Sequence, residues 1–122
     1  MSRKVVHVVG TGTIGEPLIG LLCDFKEDLG IDEISFHKNT PLTTDRSKVR
    51  SLMNRGAILT THKEKFDGFN VIGLKPEFQT EEAIDRSSVV IDCTPKGLGH
   101  QNKKRFYEKY LPGDPILLMN LS

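Results

Sequence analysis

The chain has 122 residues, 37% hydrophobic and 27% charged, with 17 basic against 16 acidic side chains and a formal net charge of +1. That length suits one domain with room for a core, and the near-zero charge removes the electrostatic case for a nucleic-acid or anionic-membrane partner. No apolar run approaches the ~18 residues of a membrane helix, the stretch after Met1 is too short for a signal peptide, and Cys23 and Cys93 make no disulfide framework, so the chain reads as cytoplasmic with free thiols.

Residues 4–9 are β-branched and nearly all apolar, which predicts a strand covered on both faces. Residues 10–15 break it. Ile14, Leu18, Leu21, Leu22, Phe25 and Leu29 then recur at helical spacing, with Pro17 tolerable in the first turn and Gly30 as the stop. A second strand is predicted at 33–37, closed off by Pro41. Asp45 is the expected cap of a helix carrying Val49, Leu52 and Met53 to Gly56. A third strand follows at 57–61. The stretch 62–73 reads as a charged helical turn and then a strand at 70–72. Thr80, Glu81 and Glu82 start a short helix that leads into a second apolar strand at 88–93. A glycine-bearing loop, a cationic helix over about 101–110 and a last strand at 116–119 complete the chain. Strands alternating with helices predict a single-domain α/β fold: a Rossmann-type, doubly wound, mostly parallel sheet.

Gly10-Thr11-Gly12-Thr13-Ile14-Gly15 fits G-x-G-x-x-G. The first glycine permits the tight strand-to-helix turn, the second lets the backbone approach a pyrophosphate, and the third lets helix and strand pack closely. The phosphates then lie at a helix N-terminus, where unpaired N–H groups and the dipole favour negative charge. Thr11 and Thr13 add hydroxyl donors. The pattern alone is weak; its place between an apolar strand and an amphipathic helix strengthens it. About 20 residues further on, where such sites usually carry an acid for the ribose of NAD, the sequence reads Phe36-His37-Lys38-Asn39-Thr40-Pro41. Lys38 among these polar neighbours suits a 2′-phosphate instead, which favours NADP over NAD. The loop Asp92-Cys93-Thr94-Pro95-Lys96-Gly97-Leu98-Gly99-His100-Gln101-Asn102-Lys103 leaves the second apolar strand at the end that lines the ligand crevice in a doubly wound sheet. There Thr94 offers a hydroxyl, Pro95 stiffens the loop, and glycines let the backbone come near a cofactor.

These two loops, with the lysine- and proline-bearing loop between them, resemble the N-terminal cofactor-binding half of the archaeal-type (class II) glyceraldehyde-3-phosphate dehydrogenases. The resemblance implies a Rossmann-type fold that binds NADP or NAD and, in the complete enzyme, oxidation of glyceraldehyde 3-phosphate by hydride transfer. Carried over, Gly10, Thr13, Ile14 and Gly15 hold the pyrophosphate, Lys38 with Asn39 and Thr40 meets the adenosine ribose or its 2′-phosphate, and Thr94, Pro95 and Gly97 flank the cofactor further along. Three positions depart from that pattern: Val9 stands where the family usually has Asn, and Glu16-Pro17 where it usually has a basic pair.

The family's nucleophile is a cysteine in a Ser-Cys-Asn-Thr-like segment, which this sequence lacks. Cys23 and Cys93 both sit among apolar neighbours and read as structural. His7, His37, His62 and His100 show no metal spacing, His7 reads as a core residue, and the basic run 103–105 reads as a solvated helix flank. The expectation is therefore the NAD(P)-binding domain of a glyceraldehyde-3-phosphate dehydrogenase-like oxidoreductase, spanning residues 1–122 without the catalytic domain and without turnover of its own. The alternatives are a stand-alone dinucleotide-binding or redox-sensing module and the cofactor domain of another Rossmann dehydrogenase. A face left uncovered by an absent domain would also allow self-association.

Overall fold

The computed structural model describes residues 4–10, 15–93 and 117–120. The predicted cationic helix over 101–110 lies outside them. The strands are β1 (Val5–Val9), β2 (Glu33–His37), β3 (Ile58–Thr61), β4 (Phe78–Gln79), β5 (Val89–Asp92) and β6 (Leu117–Asn120). The helices are α1 (Gly15–Asp24), α2 (Arg46–Asn54), α3 (Phe66–Val71) and α4 (Thr80–Arg86). The strands form one parallel sheet in the order β4-β3-β2-β1-β5-β6. Strand order therefore runs outward from β1 in one direction and restarts on its other side with β5, as the doubly wound expectation requires.

Every residue of β1 is buried, because the sheet is covered on both faces and alternate side chains point to opposite layers. Val6 and Val8 meet Ile34, Phe36, Leu59 and Ile91 on one face, where Ile19, Val49, Leu52 and Phe69 from α1, α2 and α3 close the apolar core. Phe36, Phe69 and Ile19 are fully buried there, and each such side chain contributes roughly 1.5–3 kcal/mol. The other face is polar through much of its centre. His7 lies level with Ser35 in the register, His37 with Thr60, and α4 covers this side with Ala83 and Ile84.

Several elements differ from expectation. The regular part of α1 ends at Asp24, and residues 25–30 continue as hydrogen-bonded turns. Leu21, Phe25 and Leu29 do recur at helical spacing, but their stripe faces solvent, 47–54% exposed. The core instead receives Ile19, with Leu18 and Leu22 packed against it. Gly30 does end the segment, with φ of 68°. Residues 70–72 are not a strand: Phe69, fully buried, anchors α3 to the core, and residues 70 and 71 finish that helix with Val71 in solvent. The two-residue β4 has no counterpart in the expected elements. Gln79 and Glu82 form the capping box of α4, so the N-cap is one residue before Thr80.

A Cβ added at Gly15 would overlap the Gly10 carbonyl and lie 3.6 Å from the Cys93 Cβ, so Gly15→Ala should cost about 1–3 kcal/mol, read as a lower urea midpoint. The His7 ring is fully buried, and desolvation lowers its pKa to about 3 from 6.5. The unfolded chain takes up a proton there as pH falls through 6.5, whereas the folded chain does not until about 3. His7 therefore subtracts stability progressively as pH falls through that window, by up to about 1.4 kcal/mol per pH unit. His7→Gln should flatten this part of a stability–pH profile measured by chemical denaturation.

Candidate functional site

The reversal of strand order falls between β1 and β5, and the carboxyl ends of strands at such a point open the crevice that binds ligands in doubly wound sheets. Gly10 leaves β1 with φ of 102°, a conformation that suits glycine, and its N–H donates to the His37 carbonyl at 3.2 Å. Gly15 opens α1 hard against the Gly10 carbonyl. On the other side of β1, the Cys93 N–H donates to the Val9 carbonyl at 2.8 Å. The first and third glycines of the motif thus bring the start of α1, the end of β1 and the end of β2 to one place. Thr11, Gly12, Thr13 and Ile14, and likewise Thr94, Pro95 and Gly97, lie outside the described residues.

Lys38 follows β2 directly. Its N–H donates to the Thr60 carbonyl at 3.2 Å, its carbonyl accepts from the Thr61 hydroxyl at 2.8 Å, and Nζ donates to Asp45 Oδ2 at 2.9 Å. Asp45 does not play the predicted cap role. The residue does occupy the N-cap position of α2, but its side chain makes no cap hydrogen bond and turns to Lys38 instead. Asn39 and Thr40 are exposed beyond it.

Beneath Lys38 lies a buried polar cluster that the motifs did not reveal. His37 Nδ1 and the Thr80 hydroxyl share a 2.6 Å hydrogen bond, and the Thr60 hydroxyl donates to the Phe36 carbonyl at 2.9 Å while standing 3.2 Å from that of Thr80. The His62 ring packs 4.7 Å from His37, and its Nδ1 is 3.6 Å from Glu81 Oε1. These contacts tie β2, β3 and α4 together under the Lys38 backbone. A signal was present in the sequence: Thr60-Thr61-His62 puts three polar residues in a row after Ile58 and Leu59, at the carboxyl end of β3 and level with His37-Lys38 at that of β2.

Glu16 puts an acid in the first turn of α1, and Lys48 of α2 stands 3.9 Å from it. The two helices enclose a groove of about 290 Å³. Its other charges are engaged locally: Arg55 reaches both Asp24, at 2.7 Å, and the Gly20 carbonyl, at 2.9 Å. That groove reads as a helix–helix seam closed by ion pairs. Both thiols have pKa values raised, chiefly by desolvation, with Asp92 adding to the effect at Cys93. Neither is set up as a thiolate nucleophile. Among the described residues no group of three or more His, Cys, Asp or Glu is placed to hold a metal ion, and no helix is long and apolar enough to cross a membrane.

No protein-family model matches the chain. Among curated proteins, it is 28% identical over 105 residues to the glyceraldehyde-3-phosphate dehydrogenase of Pyrobaculum islandicum, covering 86% of this chain and 28% of that protein. It is 30% identical over 107 residues to the enzyme of that name from Methanobacterium formicicum, covering 87% of this chain and 30% of that protein. With the one from Hyperthermus butylicus it shares 30% identity over 109 residues, covering 89% of this chain and 29% of that protein. Most of the chain is therefore similar to a part of the archaeal-type glyceraldehyde-3-phosphate dehydrogenases that makes up 28–30% of their length.

Proposed function

We propose that residues 1–122 are the NAD(P)-binding domain of a glyceraldehyde-3-phosphate dehydrogenase-like oxidoreductase. The observation that carries this reading is the junction of Gly10 and Gly15 at the point where strand order reverses. A cofactor pyrophosphate suits that place, over the N-terminus of α1, because Gly10 and Gly15 put no side chain between the end of β1 and the start of the helix. The Gly10–Gly15 segment binds the pyrophosphate, with Thr11 and Thr13 as hydroxyl donors. Lys38, Asn39 and Thr40 orient the adenosine ribose, and the ammonium of Lys38 favours NADP over NAD. Thr94, Pro95 and Gly97 flank the cofactor further along the crevice. Bound NAD(P) supplies the hydride acceptor for aldehyde oxidation in the complete enzyme.

This chain's own residues bind and orient. Neither cysteine lies in a Ser-Cys-Asn-Thr-like segment, and burial holds both thiols protonated. Calorimetric titration of the 122-residue chain should show binding of both dinucleotides, tighter for NADP, with no oxidation of glyceraldehyde 3-phosphate above the uncatalysed rate. Gly12→Val, whose side chain would stand against the pyrophosphate, should weaken both dinucleotides by at least about tenfold. Loss of neither affinity in that variant, or tighter binding of NAD than NADP to the parent chain, counts against the respective assignment.

A further inference from the structure

The acid that dinucleotide-binding sheets usually carry at the end of the second strand is missing from residues 36–41, yet an acid reaches that place in space. Asp45 comes from the start of α2, and its carboxylate accepts a hydrogen bond from Lys38 Nζ at 2.9 Å rather than capping its own helix. The Lys38 side chain is 11% exposed and that of Asp45 31%. The Asp45 side chain is thus the more open of the pair.

From this geometry we infer that Asp45 is a specificity-determining residue, setting the preference between dinucleotides with and without a 2′-phosphate by competing with that phosphate for Lys38. The inference rests on the dinucleotide-binding reading above. A 2′-phosphate carries close to two negative charges; it gains from Lys38 but meets like charge on Asp45, directly beside the ammonium. A ribose hydroxyl instead donates to the carboxylate and leaves the ion pair intact. The pair thus admits either cofactor with a narrowed difference between them. Removing the acid tilts the site toward the phosphate, and removing the cation tilts it away.

The test is calorimetric titration of the full chain with NADP and with NAD, for the parent, Asp45→Asn, Asp45→Ser and Lys38→Ala. The serine variant retains the ability to cap α2, so one variant without the carboxylate keeps a good helix start, and thermal melts check that each is folded. Both Asp45 variants should tighten NADP about tenfold, leave NAD unchanged or a few-fold weaker, and steepen the salt dependence of NADP binding. Lys38→Ala should weaken NADP and spare NAD. If the Asp45 variants weaken NADP, the carboxylate merely orients Lys38 and the inference is overturned; an equal change for both dinucleotides overturns it too. Binding of neither dinucleotide by any folded form, the parent included, overturns the dinucleotide reading itself.

Discussion

The approach of α1 to β1 governs what the rest of the structure can do. Gly15 sits so near the Gly10 carbonyl that no side chain fits between them. With the helix start held there, Ile19 reaches the apolar layer under β1 and β2, and α2 packs beside α1 through Arg55, which spans Asp24 and the Gly20 carbonyl. The same contact brings the start of α1 to the carboxyl end of β1, where the Gly10 N–H also fastens to the end of β2. Packing and the proposed binding site thus share one constraint: the absence of a Cβ where a helix must leave a buried strand.

The sheet separates two kinds of stabilisation. Toward α1, α2 and α3 it offers Val, Ile, Leu and Phe, whose burial is non-directional. Toward α4 it offers His7, Ser35, His37 and Thr60, for which burial is favourable only when hydrogen bonds replace water. His7 meets Ser35 at 2.7 Å, and His37 and Thr60 meet Thr80. The short helix α4 accordingly places a hydroxyl as well as Ala83 and Ile84, and that hydroxyl touches the ends of both β2 and β3.

Both central strands, the third strand and the helix after the glycine loop were legible because apolar runs bounded by glycine or proline carry strong local signals. Parallel order around β1 followed from alternating elements. Less legible were features decided by partners distant in the chain. Leu21, Phe25 and Leu29 have the spacing of a buried stripe, but only the tertiary arrangement determines which side of α1 meets the sheet. Asp45 has the residue type and place of a helix cap, and it is Lys38, seven residues earlier, that claims its carboxylate. Residues 70–72 are too short a run for periodicity to decide, and with the Phe69 ring buried, Asn70 and Val71 end a helix that Ile72 caps. The two-residue β4 leaves no period to read, since its alignment comes from pairing with β3.

The central position of β1 also bears on how the chain assembles. One of its edges pairs with β2, which follows soon after, whereas the other waits for β5, which follows β2, β3 and β4 in the chain. Until Val89–Asp92 arrive, the Val-Val-His-Val-Val segment has an open row of backbone donors and acceptors beside apolar side chains, the combination that invites pairing with another molecule. A nascent chain therefore carries one edge of β1 unpaired until β5 has been made, although that strand is fully buried in the finished sheet.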